Sequence, residues 1–195
     1  MNSDPVPPTP AAWRPIAALV LGMLGFAAAV ATLYATPIEG VTDLGCGVRV
    51  LDCSGVLGSH WGKIAGIPLG IFGGAYFGSW IVAIGSWWRS RDSALLSIAT
   101  WIMSFGAIVS ITLLSLLLFV IEGNCLFCLI THATNLGAAI LLWPFRRWQL
   151  SSLKAIAIRG SLLLLMSLLF ALGLFQLYQA RVERAEAKAR QETIW

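Results

Sequence analysis

Residues 125–143 read CLFCLITHATNLGAAILLW, a stretch of 19 residues that opens on a Cys-x-x-Cys motif and contains no charged side chain. A helix that crosses the hydrocarbon core of a membrane needs about 20 such residues. Four further charge-free stretches have that length or more, and none shows the alternation of a barrel strand. They are 16–36, 64–88, 93–121 and 160–180. The sequence therefore predicts an all-α integral membrane protein with five transmembrane helices.

The composition excludes several other classes of protein. Of the 195 residues, 58% are hydrophobic and 11% are charged, whereas about 25% are charged in a soluble domain. A soluble domain of this size cannot hide that much apolar surface. The net charge of +4 is spread over the ends of loops and forms no basic stripe, so we expect no nucleic-acid partner. Four cysteines are too few for a disulfide-dense secreted miniprotein.

Changes in composition divide the chain into four segments. Residues 1–13 hold four prolines and predict a disordered leader, and 14–145 hold the first four spans. A linker and the fifth span follow in 146–180, and 181–195 form a charged tail that predicts a short solvated helix. We expect the first span to be retained as a helix, because a signal peptide has an apolar core of only about 7–15 residues. A cleaved signal peptide is the alternative.

The distribution of Lys and Arg predicts the orientation of the spans. With the N-terminus inside, and the tail left out, the inner segments hold seven Lys and Arg residues and the outer loops hold two. Cys46 and Cys53, in loop 37–63, then lie on the outer side, as do Cys125 and Cys128. The outer face of a bacterial inner membrane and the lumen of the ER both allow disulfides to form. We therefore expect all four cysteines on an oxidising side of the membrane, and both compartments stay open at this point.

The Cys-x-x-Cys motif has a spacing that suits redox chemistry. At a helix start, positions i and i+3 share a face, so the sulfurs of Cys125 and Cys128 can bond or separate with little backbone motion. A helix N-terminus favours the thiolate, which is the nucleophile in disulfide exchange. We expect Asn124 to be the N-cap and Cys125 the first helical residue. Two alternatives stay open: structural disulfides that brace the loop, and a zinc site formed by the two cysteine pairs.

A polar stripe runs down the fourth span, formed by Cys125, Cys128, His132 and Asn135. Polar groups inside a membrane face the interior of a bundle and are commonly functional. The stripe therefore predicts a pocket for a hydrophobic electron acceptor, although a core histidine satisfied by its neighbours is an equal alternative for His132. In the loop, Ser59 is a candidate to hydrogen-bond a thiolate or a ligand oxygen, and a helix cap is the alternative.

The second span is rich in glycine at three- and four-residue spacing. Such small residues predict close approach of helices in a membrane rather than a ligand site. Pro68 predicts a bend near the outer end of this span. The glycines are Gly62, Gly66, Gly70, Gly73, Gly74 and Gly78.

Four elements together resemble the vitamin K epoxide reductase (VKOR) family in order, spacing and membrane placement. They are Cys46, residues 53–62 (CSGVLGSHWG), residues 66–73 (GIPLGIFG) and CLFC at 125–128. The resemblance covers the first four spans and implies a four-helix bundle of VKOR type in 14–145, followed by a fifth transmembrane helix. In this family the membrane Cys-x-x-Cys passes electrons to a quinone or to vitamin K. The loop pair brings them in from a thioredoxin-like partner.

The resemblance also implies a catalytic role for each cysteine. Cys125 is the residue attacked through the loop, and Cys53 is its partner in that step. Cys128 faces the quinone, and Cys46 exchanges disulfides with the partner protein.

The remaining site residues come partly from the polar stripe and partly from the resemblance, which also implies the partner. Ser59 matches a serine near the family's active site, and together with His132 and Asn135 it makes up the expected quinone-binding set; no metal site is expected. Vertebrate members have tyrosine where His132 stands, which argues against epoxide reduction. Many bacterial members continue into a fused thioredoxin domain. Because this sequence stops at Trp195, we expect the partner to be a separate thioredoxin-like (DsbA-like) protein.

The implied activity is that of a quinone-dependent thiol oxidoreductase that supports disulfide bond formation. It oxidises the partner protein and passes the electrons to ubiquinone or menaquinone. The alternative is a non-enzymatic membrane scaffold in which the cysteines form structural disulfides.

Overall fold

The computed structural model describes residues 13–38, 52–121, 123–145 and 153–192. Within these ranges, five helices are long and apolar enough to cross a membrane, and a sixth is short. This confirms the predicted all-α membrane fold and the order of its five spans. Of the predicted leader, only Trp13 lies in the described ranges. The helices are α1 (Trp13–Ala35), α2 (Cys53–Gly58), α3 (Leu69–Ser90), α4 (Ser93–Phe119), α5 (Leu126–Leu142) and α6 (Leu153–Glu192).

The long helices form a four-helix bundle with a fifth helix on its outside. Helix α1 packs along both α5 and α3, and α4 packs on α5 and more lightly on α3. Helix α6 packs mainly against α3. The largest buried cluster joins the four bundle helices through Ala18, Trp80, Met103 and Leu142, and it also includes Leu163 of α6. The predicted bundle of VKOR type with an additional span is therefore present.

Glycines of α3 permit the close packing predicted for this span. A Cβ atom on Gly70 would overlap the hydroxyl of Thr32 on α1, and one on Gly78 would lie 2.8 Å from the ring of Phe170 on α6. Bundle helices in lipid gain from such close contact because van der Waals packing drives their association. Gly62 and Gly66 do not contribute to this face, since both precede the first residue of α3.

The second span begins later than predicted because a small hairpin precedes it. Lys63–Ile64 (β1) and Ile67–Pro68 (β2) pair in antiparallel fashion, and the turn between them has left-handed backbone at Ala65 (φ 50°) and Gly66 (φ 81°). Pro68 is the N-cap of α3, which starts at Leu69. Proline is favoured at a helix start because the backbone N–H it lacks has no helical acceptor there. The predicted bend at Pro68 is therefore wrong: this residue caps the start of the helix instead.

The fifth span is much longer than predicted. Helix α6 has 40 residues and is about 60 Å long at 1.5 Å per residue, roughly twice the hydrocarbon thickness of a membrane. It continues through the predicted charged tail without a break at residue 181 and ends at Glu192. Ala185, in this extension, is only 2% exposed. Most other residues of the extension are exposed, as expected for a solvated helix, but this helix is a continuation of α6 and not a short element of its own.

Candidate redox site

Three of the four cysteines lie together where α1 ends and α5 begins, and we call this region the cysteine end. Cys125 and Cys128 are joined by a disulfide, with their Cα atoms 5.2 Å apart. This confirms that the Cys-x-x-Cys spacing at a helix start brings both sulfurs within bonding reach. Cys53, the first residue of α2, is also disulfide-bonded. Cys46 lies outside the described residues.

Cys125 itself caps helix α5. Its backbone is extended (φ −97°, ψ 109°), and its Sγ accepts a hydrogen bond from the N–H of Cys128 at 3.3 Å. The prediction that Asn124 is the cap was wrong by one residue, because the sulfur occupies the acceptor position that the Asn side chain was expected to fill. The Sγ of Cys125 therefore sits at the positive end of the α5 dipole, which favours a thiolate there.

The structure brings Cys53 and Cys125 into one buried cluster. They are 1% and 0% exposed, and the cluster also contains Ala35, the last residue of α1. Its other buried members are Val56, Leu57 and Leu117. A short helix therefore seats one loop cysteine in the same apolar environment as the first cysteine of the membrane pair.

Helix α2 is held in place from both sides. The side chain of Asp52 caps its start by accepting a hydrogen bond from the N–H of Gly55 at 2.7 Å. Val56 packs on the turn before α5 so closely that a Cβ atom on Gly123 would overlap it. The cap fixes the start of α2, and the Val56 contact places this helix, and with it Cys53, beside the turn that leads into α5.

Ser59 ends α2 and makes local hydrogen bonds. Its backbone N–H donates to the carbonyls of Gly55 and Val56, and its hydroxyl donates to the carbonyl of Val56 at 2.7 Å. These bonds are those of a helix cap, the alternative that the sequence left open. The role of Ser59 in quinone binding stays a prediction.

Asn135 bridges three helices in the interior of the bundle. Its Oδ1 accepts a hydrogen bond from the hydroxyl of Tyr76 on α3, and its Nδ2 donates to Oγ of Ser110 on α4, each at 2.8 Å. The Tyr76 hydroxyl also lies 3.0 Å from the sulfur of Met103. Both polar ends of this 2% exposed side chain are therefore engaged by the protein. Its role in quinone binding stays a prediction.

Sequence reasoning missed Tyr76 and Ser110. Both are polar residues inside predicted spans, which is a signal that could have identified them. Serine and tyrosine are common in membrane helices, however, so the pairing with Asn135 needed the packing of α3, α4 and α5.

His132 lies on α5 between Cys128 and Asn135, as the stripe predicted. Its side chain is partly buried. Within the described part of the chain, its buried Nδ1 atom has no hydrogen-bond partner. This differs from the satisfied core histidine that was the alternative, and it leaves a polar atom available one turn below Cys128.

A sequence model of the vitamin K epoxide reductase family matches residues 16–143, about two thirds of the chain. The protein belongs to this family. A separate comparison with curated proteins found no match. The VKOR match begins in α1 and ends just after α5, so it includes all three described cysteines and leaves α6 outside.

Family membership and structure together define the protein at a coarse level. It is a multi-pass membrane protein and a thiol-disulfide oxidoreductase of the VKOR family. Its disulfide-bonded Cys-x-x-Cys pair stands at the start of a transmembrane helix.

Proposed function

We propose that this VKOR family protein oxidises a separate thioredoxin-like, DsbA-like protein and passes the electrons to a quinone, with Cys46, Cys53, Cys125 and Cys128 as the relay. The cysteine end faces the oxidising side of a bacterial inner membrane, the periplasmic or extracellular side. The observation that carries the proposal is the burial of Cys53 and Cys125 in one cluster, beside a disulfide that caps a membrane helix.

The first exchange reduces the loop pair. A thiolate of the reduced partner attacks Cys46 of a Cys46–Cys53 disulfide and releases the thiolate of Cys53. The second partner thiol then displaces Cys46, so the partner leaves as a disulfide and the loop holds two thiols. Two electrons and two protons have entered the protein, because each thiol formed takes up one of each.

The second exchange moves those electrons to the membrane pair. The thiolate of Cys53 attacks Cys125 and breaks the Cys125–Cys128 bond, which releases the thiolate of Cys128. Cys46 then attacks Cys53, restoring the loop disulfide and releasing Cys125. The helix N-terminus and the N–H of Cys128 stabilise the charge on the departing Cys125 sulfur.

A quinone, when bound, supplies a two-electron acceptor that becomes quinol as the Cys125–Cys128 disulfide re-forms. The residues present fit such a group. Cys128 is only partly buried, unlike Cys125, and His132 offers an unpartnered buried nitrogen about 6 Å further along the helix axis at 1.5 Å per residue. His132 is therefore our candidate to hold a quinone oxygen, while the hydrogen bonds of Asn135 orient the helices around it.

Quinone reduction by the purified protein tests this function. The assay uses a reduced DsbA-type protein as donor and short-chain ubiquinone or menaquinone as acceptor, followed by quinone absorbance. We expect one partner disulfide for each quinol formed, and no turnover for Cys125→Ser. If the parent protein produces no quinol while all its disulfides stay unchanged by the donor, the scaffold alternative is correct instead.

A further inference from the structure

Arg181, on α6, reaches across to the end of α1. Its guanidinium donates hydrogen bonds to the main-chain carbonyls of Leu33, Tyr34 and Thr36, the latter two at 2.7 and 3.4 Å. Its Cζ also lies 5.6 Å from the centre of the Tyr34 ring. One side chain thus engages three carbonyls at the last turn of α1.

Carbonyl groups at the C-terminal end of a helix are stabilised by a nearby cation. The last carbonyls of a helix have no N–H partner within it, and they form the negative end of the helix dipole. A guanidinium carries several donors in a rigid fork, so it can serve several carbonyls at once, whereas the ammonium of lysine is a point charge. Arg181 is therefore a C-terminal cap of α1 supplied by another helix.

The capped turn is part of the redox site. Ala35, within the capped turn, is fully buried in the cluster of Cys53 and Cys125. Thr36 is buried, and its hydroxyl donates to the carbonyl of Thr32 at 2.7 Å. Pro37 follows and lies against α2, where a Cβ atom on Gly58 would be 3.0 Å from its ring. Cys46 follows Pro37 in the sequence of loop 37–63. The cap therefore holds the segment from which this loop starts.

A second contact supports the same connection between α6 and α1. Leu174, two turns before Arg181, packs with Leu33 of α1 and Ile71 of α3 in a buried cluster. Tyr178 packs against that cluster. Helix α6 therefore reaches α1 over the start of α3, and Arg181 extends this contact to the backbone at the cysteine end.

We infer that Arg181 is a positioning residue for disulfide exchange: it caps α1 and thereby holds the loop cysteines in register with Cys125. This inference rests on the proposed function, because it concerns the step in which Cys53 attacks Cys125. It assigns to α6, which lies outside the family match, a part in the chemistry of the four-helix core.

The test compares Arg181→Gln with Arg181→Lys and with the control Arg184→Gln. Arg184 is on the same helix and loses the same charge, but its side chain is exposed. The first readout is the amount of Cys53–Cys125 disulfide trapped in a Cys46→Ala background, where no Cys46 thiol can resolve it, measured on non-reducing gels without quinone. The second is quinone reduction driven by a reduced DsbA-type protein.

We expect Arg181→Gln to lower both readouts about fivefold or more, from loss of a partly buried cationic cap. Lysine should recover part of the loss, and Arg184→Gln should have no effect. In a protein without Cys46 and Cys53, quinone reduction by dithiothreitol should be the same with Arg or Gln at 181. A general folding defect would lower this rate as well.

The outcomes separate the two proposals. Equal trapping in Arg181→Gln and Arg184→Gln, with an active parent, overturns the role of Arg181 and leaves the proposed function standing. A loss of the dithiothreitol rate equal to the loss with the protein donor also overturns it. If the parent traps the disulfide but never reduces quinone, the proposed acceptor is wrong, and the trapping result still decides the role of Arg181.

Discussion

Helix α6 is attached to the bundle by an arginine at each end, and the two attachments differ in kind. At the cysteine end, Arg181 serves three backbone carbonyls of α1. At the opposite end, Arg159 forms a 2.5 Å ion pair with Asp92 in the α3–α4 turn, and both side chains are more than a quarter exposed. The arginines lie about 33 Å apart along the helix at 1.5 Å per residue, close to the thickness of the hydrocarbon core.

The contacts of Arg181 are expected to affect the redox chemistry, whereas the Arg159–Asp92 ion pair is expected only to anchor α6. The opposite end is held by an ion pair between two side chains, Arg159 and Asp92, that are both partly exposed. Such exposed pairs contribute little and are screened by salt. The cysteine end is held by backbone contacts next to a buried cluster, so a change there should alter the geometry of the thiols. The predictions below test this contrast.

The largest effect is expected from Cys128→Ala. Removing the partly buried sulfur should abolish quinone reduction, because Cys125 alone cannot supply the dithiol that the acceptor oxidises to a disulfide. Exchange between the loop pair and a DsbA-type protein should persist. Quinone absorbance and gel-shift analysis of the thiols measure the two steps. Quinone reduction at the parent rate would show that Cys128 does not face the acceptor.

A thiol reagent should reach the cysteine end and the opposite end of the bundle from opposite sides of the membrane. A membrane-impermeant maleimide should label reduced Cys46 in intact cells. A cysteine introduced at the other end by Ser90→Cys should react only after the inner face is opened. The reverse pattern would invert the orientation and place the redox site in a reducing compartment.

A matched pair of glycine substitutions compares packing at the cysteine end with packing elsewhere. Gly123→Ala places a methyl group into Val56, whereas a Cβ on Gly85 of α3 meets nothing within 4 Å. We expect Gly123→Ala to cost about 1–3 kcal/mol through overpacking and to slow turnover with the protein donor. Unfolding in detergent and donor-driven rates measure both effects. If Gly123→Ala and Gly85→Ala have the same stability and the same donor-driven rate, the contact between α2 and this turn is not needed for activity.

Loss of the ion pair at the opposite end should have a smaller effect. Asp92→Asn is expected to lower the free energy of unfolding by less than about 1 kcal/mol, and added salt should reduce the difference. The rate with the protein donor should not change. A fall in that rate comparable to the fall in Arg181→Gln would contradict the separation of the two ends.

The smallest effect is expected from removing the end of α6. Deletion of residues 183–195 keeps Arg181 and all four cysteines, so quinone reduction driven by dithiothreitol should stay intact. Turnover with the protein donor should fall only modestly. Loss of the dithiothreitol rate in folded protein would make the extension part of the catalytic unit, and the burial of Ala185 would then be the first contact to examine.

Much of the fold follows from the sequence because lipid imposes a simple rule. A chain crossing hydrocarbon must satisfy its backbone internally, so charge-free stretches of about 20 residues become helices. This rule identified five spans and, through Cys-x-x-Cys at the start of one, the disulfide of Cys125 and Cys128. The packing role of Gly70 and Gly78 followed from their spacing for the same reason: small residues let helices meet.

Other features depended on contacts between distant parts of the chain. Spacing along the chain contains no information about which helix faces which, so the bridge from Tyr76 through Asn135 to Ser110 could not be read from it. Local choices were also decided by neighbours: Cys125 rather than Asn124 caps α5, and Pro68 starts a helix after a hairpin. The sequence shows that residue 181 carries a positive charge, but it does not show which groups this charge contacts. The function of Arg181 as a cap exists only because folding places α6 beside the end of α1, where three carbonyls have no other helical partner.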